Sequence, residues 1–231
     1  MKKTELEFFA NIANYSGWLR TSIISRHLAI YELYKLTLKL PGSLAEFGVW
    51  RGSTFFFLQK LIEIFHSSSY EKNQMSNRKL FGFDTFEGFK KIHKHDHPKS
   101  PQMKKKSGKY NFDYKIFDKA FKHTLKNSKI SKRLYIKKGD IKFTWKKFLK
   151  ENPGVRFCMI LIDMDLFEPT QIILKDIMKY MVPGGIIIFD EYGYPEWPGE
   201  TKAVDKFIKK HKLKLNSFSW SYGPGAYTVM K

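Results

Sequence analysis

The 231-residue chain contains a single cysteine, Cys158, so no intramolecular disulfide is available. That cysteine lies inside an apolar run, where a small buried side chain is expected rather than a reactive thiol. No apolar run approaches the roughly 18 residues of a membrane-spanning helix, which excludes a helical span. The opening Met-Lys-Lys is followed by Thr-Glu-Leu-Glu, without the apolar core of a signal peptide, and a cytoplasmic location is expected. The G-x-G-x-x-G pattern of a nicotinamide site is missing. Carboxylates are scarce, 22 against 42 Lys+Arg, for a formal net charge of +20. Such a surface favours anionic partners, although a lysine-rich source would give the same excess. The excess is uneven: residues 90–109 hold eight lysines and one aspartate.

What is present is a set of short apolar runs that end in acids. Leu161-Ile162 runs into Asp163-Met164-Asp165-Leu166-Phe167-Glu168, and Gly185 to Phe189 runs into Asp190-Glu191-Tyr192. Short β-rich runs of this kind read as buried parallel strands. A segment of helical length separates them, which makes a βαβ unit with both acidic ends on one edge. Adjacent strands lie about 4.8 Å apart, so Asp163, Asp190 and Glu191 come within reach of one cation. Carboxylates gathered this closely repel one another without a counter-charge, which points to Mg²⁺ or a similar oxygen-seeking ion.

Residues 4–40 carry apolar side chains at three- and four-residue intervals and read as two helices broken at Tyr15-Ser16-Gly17. Residues 43–49 form the first strand, and Arg51-Gly52-Ser53 turns into a helix. Gly48 and Gly52 let backbone approach a ligand and aim helix N–H groups at it. Residues 79–84 form the second strand, ending in Asp84, where an acid meets ribose hydroxyls in doubly wound nucleotide sites. Residues 90–110 read as a basic loop over the ligand edge, its alternating His93, His95 and His97 solvated. Helices follow at 112–127, 144–151, 169–180 and 201–211. Strands follow at 133–137, 155–162 and from Gly185 onward. Two final strands, 212–220 and 226–230, are separated by a Gly-Pro-Gly turn and expected to pair antiparallel. Tyr192, Tyr194 and Trp197 form a candidate substrate wall.

The expected fold class is α/β: a Rossmann-like doubly wound sheet of five parallel βα units followed by an antiparallel strand pair, with N-terminal helices. Residues 1–40 are expected to be a helical cap on a catalytic unit at 41–231, the whole forming one compact body.

With Glu46-Phe-Gly-Val-Trp-Arg-Gly52, Gly82-Phe-Asp-Thr-Phe-Glu-Gly88, Ile162-Asp-Met-Asp-Leu-Phe-Glu-Pro-Thr170 and Pro183-Gly-Gly185 through Asp190-Glu-Tyr-Gly193, the chain resembles the class I S-adenosylmethionine-dependent methyltransferases. Within them it is most similar to the macrocin O-methyltransferase group, metal-dependent enzymes that methylate sugar hydroxyls. The resemblance covers roughly residues 40–210. It implies that Glu46, Gly48 and Gly52, with Ser53 beside them, line the methionine end of the cofactor. Asp84 and Thr85 would meet its ribose, and Asp140 and Ile141 its adenine. Asp163 would serve both cofactor and metal, with Asp190 and Glu191 as the other Mg²⁺ ligands. Glu191 stands where the group has a second aspartate, and Met164 where it has glycine.

Methyl transfer from a sulfonium is an in-line displacement, so the acceptor oxygen must be aligned and deprotonated. Asp163 and Asp165, on the same side of an extended segment, are the candidate bases. For Asp165 a turn or cap role is nearly as well motivated. The acceptor is expected to be an anionic sugar or sugar-linked metabolite of surface-polysaccharide or natural-product assembly. The N-terminal helices offer a homodimer contact. One rival is a methyltransferase of RNA or another phosphorylated substrate. Nucleic acid is disfavoured because Asn/Asp-Pro-Pro-aromatic is absent after the fourth strand and the basic loop lacks interleaved aromatics. A second rival is a non-catalytic S-adenosylmethionine-binding protein, disfavoured by the retained acids.

Overall fold

The computed structural model describes residues 14–66, 77–97 and 112–231. Its elements, in chain order, are α1 (Tyr15–Trp18), α2 (Thr21–Leu36), β1 (Ser43–Phe47), α3 (Ser53–His66), β2 (Leu80–Asp84), α4 (Tyr114–Asn127), β3 (Leu134–Lys138), α5 (Ile141–Glu151), β4 (Phe157–Ile162), α6 (Phe167–Leu174), β5 (Met181–Phe189), α7 (Pro198–His211) and β6 (Ala226–Val229).

The six strands form one sheet in the order β3-β2-β1-β4-β5-β6, all parallel except β6, which runs antiparallel to β5. The order reverses direction between β1 and β4. In open α/β sheets the crevice outside the carboxyl ends at such a switch is where ligands bind. Register places Phe47 beside Ile162 and Ile162 beside Phe189. The Asp163 N–H then donates to the Phe47 carbonyl at 2.8 Å and the Asp190 N–H to the Ile162 carbonyl at 2.9 Å. Both acids therefore step off the sheet at the same height.

Alternation along the strands sorts the core into two layers. Phe47, Phe83, Ile160, Ile162, Ile187 and Phe189 pack with Trp145, Phe167 and Phe207 of α5, α6 and α7. Leu44, Leu80, Leu161, Ile186 and Ile188 pack with Ile30, Leu33, Phe55 and Phe117 of α2, α3 and α4. Helix α2 thus buries its apolar face in the same layer as β1. Cys158 is buried there, and burial pushes its thiol pKa up. Arg78 closes the lower end of α2: its guanidinium donates to the Thr37 and Leu40 carbonyls at 2.9 and 2.6 Å.

Several boundaries differ from expectation. Residues 4–13 lie outside the described residues, as does most of the basic loop. Tyr15-Ser16-Gly17, expected to break the run, is itself helical within α1 and lies just before the break between the two described helices. The break falls at Leu19 and Arg20, both extended. Pro169 does not open its helix. It occupies the third position of α6, still in the first turn, where no N–H is required. Residues 212–220 do not form a sheet strand; they touch β6 through the single bridge Asn216–Tyr227. Lys212 is left-handed and Ser219 and Trp220 turn, which confines the segment to 213–218, of which only Asn216 pairs.

Candidate functional site

A cavity of about 620 Å³ opens at the switch point. On the β1 and β2 side it is lined by Glu46, Gly48 and Ser53, and by Asp84 and Thr85. Asp140 and Ile141 face it from the start of α5, and Asp163, Asp165, Asp190 and Glu191 from the ends of β4 and β5. Every expected site residue except Gly52 is on this wall. Gly52 sits behind it at φ +87°, where a Cβ would press on the Phe56 and Phe117 rings.

Local chemistry explains how these positions are held. Gly48, at φ +95°, brings β1 so close to β4 that a Cβ would stand 1.7 Å from the Asp163 carbonyl oxygen. No side chain fits, which accounts for the glycine. The Asp84 carboxylate accepts the Trp50 N–H and the Phe86 N–H, each at 2.7 Å. Trp50 and Phe86 are both left-handed, at φ +46° and +54°, so Asp84 braces two strained turns while facing the cavity. Asp140 caps α5 by accepting the Lys142 N–H at 2.9 Å. Glu46 is buried with one carboxylate oxygen unpartnered, and burial, then Asp163, raises its pKa well above the usual range. A buried orphan acceptor beside a glycine turn suits a cationic ligand group such as the ammonium of a methionyl donor.

The acidic floor divides in two. Asp163 and Asp190 are bridged by Arg26 of α2, which donates from Nη2 to Asp163 at 2.8 Å and from Nη1 to Asp190. It also reaches the Thr54 hydroxyl at the start of α3. Burial works against the Arg26 charge, and Asp190 and Asp163 outweigh it, so the pKa is raised. Asp163, Asp165 and Glu191 each present an oxygen within 4.8 Å of the others, and among the described residues this is the sole such group of potential metal ligands. The pKa of each is raised: burial is the main cause, and Asp190 for Asp163 and Glu191, or Asp163 for Asp165, adds to it. No ion pair involves Asp165 or Glu191 among the described residues. Asp190, expected as a ligand, faces Arg26, while Asp165, expected as a base, completes the trio. This hard, all-oxygen set, in which only Asp163 has a cationic partner, Arg26, fits a divalent ion.

A sequence model of the macrocin O-methyltransferase (TylF) family matches residues 33–219. The chain belongs to that family. It is 25% identical over 177 residues to the mycinamicin III 3''-O-methyltransferase of Micromonospora griseorubida, covering 75% of this chain and 63% of the relative. It is also 25% identical over 158 residues to the 8-demethyl-8-(2,3-dimethoxy-alpha-L-rhamnosyl)-tetracenomycin-C 4'-O-methyltransferase of Streptomyces olivaceus, covering 66% and 54%. The chain thus spans less than two thirds of the length of these curated relatives. Among solved structures, the calicheamicin methyltransferase CalS11 superposes with a TM-score of 0.82 at 27% identity, over 94% of this chain and 83% of that one. Its apo structure, described as a TDP-rhamnose 3'-O-methyltransferase, gives 0.71 at 26% over 95% and 84%.

Three residues of this TylF-family site escaped the sequence reading: Arg26, Asp96 and Glu200. Asp96 is buried and links the basic segment to α6, accepting the Phe167 N–H at 2.6 Å and the His93 N–H at 2.8 Å. Glu200 is fully buried below the carboxylate trio. Each was visible as an anomaly: a charge on the apolar spacing of α2, the one acid among eight lysines, and an acid three and four residues before buried Ala203 and Val204. Of the aromatic wall, Trp197 lines the cavity; Tyr192 donates instead to Asp205 at 2.8 Å and Tyr194 to the Tyr222 carbonyl. No described helix is long and apolar enough to cross a membrane.

Proposed function

We propose that the protein is an S-adenosylmethionine-dependent O-methyltransferase acting on a hydroxyl of a sugar or sugar-linked metabolite, with a divalent cation, Mg²⁺ or similar, in the acceptor half of the site. The observation that carries this reading is the pair of half-sites on one cavity: Glu46, Asp84 and Asp140 on one wall, the Asp163–Asp165–Glu191 trio on the other.

Glu46 would hold the ammonium of the donor's methionine end, Asp84 the ribose hydroxyls, and Asp140 with Ile141 the adenine. When bound, this donor supplies an electrophilic methyl group on sulfur. Asp163, Asp165 and Glu191 would hold the cation, whose charge lowers the pKa of a coordinated hydroxyl. Asp163 and Asp165 lie at the seam between the half-sites. Either carboxylate is placed to accept the hydroxyl proton. Lys90 and Lys91 on the rim favour an anionic acceptor, in keeping with the nucleotide-linked sugar named for CalS11. Natural-product or surface-polysaccharide assembly is the setting we favour, with a cytoplasmic location.

Calorimetric titration with S-adenosylmethionine is expected to show saturable binding. Absence of both heat and a thermal shift overturns the enzyme reading. Methyl transfer to a nucleoside-diphosphate sugar is expected to cease with chelator and return with Mg²⁺. Activity indifferent to chelator and to Asp163→Asn removes the cation and leaves the transferase.

A further inference from the structure

We propose that Glu200 is a positioning residue that sets the separation of Asp165 and Glu191 by holding the backbone N–H of each. The inference rests on the reading of those two side chains as cation ligands.

Glu200 occupies the third position of α7 and is fully buried. Its Oε1 accepts the Glu191 N–H at 3.0 Å and its Oε2 the Asp165 N–H at 3.1 Å. One carboxylate thus ties the end of β4 to the end of β5 through their main chains. Such a group costs several kcal/mol to bury without a charged partner, and no ion pair supplies one among the described residues. Two amide donors and the first turn of a helix offset part of that cost. The use of both oxygens on strand-end amides gives the burial a purpose that packing alone does not.

Asp165 shows what the tie accomplishes. Its φ is +62°, a left-handed conformation that places its carboxylate beside Glu191 rather than along the strand. On the other wall Asp84 holds the amides of left-handed Trp50 and Phe86. The same device appears twice, once under each half-site. The base of the tie is also closely packed. A Cβ at Gly199 would stand 1.8 Å from Asp96 Oδ1 and 2.8 Å from the Phe167 amide nitrogen, so the start of α7 is wedged against the start of α6. Glu200 does not line the cavity.

The test uses Glu200→Gln and Glu200→Ala in the full chain. In metal-free protein, ¹⁵N–¹H spectra and amide hydrogen exchange report on the Asp165 and Glu191 amides. Both amides are expected to shift and lose protection in the Ala variant. In the Gln variant one amide keeps its acceptor and the other meets a donor. Calorimetric titration with Mn²⁺ is expected to weaken by about 10- to 100-fold, the usual loss when a group orienting metal ligands is removed. S-adenosylmethionine affinity, read on the other wall, should hold; this also confirms that the variants are folded. If the Ala variant fails to fold, the Gln variant decides. Unchanged amides, or displaced amides with undiminished Mn²⁺ affinity, overturn the proposal. A wild type that takes up no Mn²⁺ overturns the cation reading instead, and the amide spectra alone then decide whether the tie exists.

Discussion

Replacing Arg26 with methionine keeps most of the side-chain volume and removes the charge that bridges Asp163 and Asp190. The side chains of Arg26, Asp163 and Asp190 are 19%, 25% and 9% exposed, so the carboxylates left behind gain little solvent. Two charge-assisted hydrogen bonds contribute about 1.5–3 kcal/mol each. Breaking a buried pair from one side costs about 3–5 kcal/mol, because the remaining charge is stranded. Partial exposure of Asp163 and its already raised proton affinity favour the lower end, about 3 kcal/mol. In a domain of this size that is a fall in Tm of roughly 6–12 °C. Calorimetry at neutral pH with chelator present measures it. The cause is isolated by Arg26→Met combined with Asp190→Asn, which removes a stranded carboxylate and should recover at least about 1 kcal/mol. A single variant as stable as wild type, or a double variant no better than the single, refutes the bridge.

Other outcomes follow from the same geometry. Gly48→Ala must move the Asp163 carbonyl and is expected to cost more than about 4 kcal/mol, read as a fall in urea midpoint; an unchanged midpoint contradicts the contact. Asp163, Asp165 and Glu191 have folded pKa values above their unfolded ones, so the unfolded chain loses protons first as pH rises. Stability of the metal-free protein should therefore fall from about pH 4 upward, through about 7 for Asp163, and saturating Mg²⁺ should flatten that slope in thermal melts. His66 behaves oppositely. Burial, then Arg78 and Arg133, lowers its pKa to about 4, so the unfolded state binds its proton first as pH falls below the usual value near 6.5. About 2–3 kcal/mol should be lost by about pH 4, and the difference curve against His66→Gln should show it.

The sheet and most of its acidic edge were legible because strand periodicity and an abrupt change from apolar to acidic residues are local signals. Asp84, Asp140, Asp163 and Asp190 each end or follow an apolar run, and parallel topology carries all of them to one edge. The division of labour among the acids was not legible. Arg26, which pairs Asp163 with Asp190, arrives from a helix 137 residues before Asp163. The left-handed turn at Asp165 agrees with the turn role its residue type suggested, but that the turn would set its carboxylate beside Glu191 was not visible. Glu200 reaches the Asp165 amide 35 residues away and Asp96 the Phe167 amide 71 residues away, and nothing in their own neighbourhoods names those partners. Residues 212–220 failed as a strand for a different reason: alternation there is real, but only one rung of the ladder forms.

The left-handed residues around the cavity have a kinetic consequence. Trp50, Phe86 and Asp165 are held by carboxylates of the protein itself, so their conformations do not wait for a ligand. These three residues add no ordering step to donor association, and its observed rate is expected to rise linearly with donor concentration; a plateau refutes this. Selectivity at that wall is then exercised at departure, through residence time, rather than on arrival.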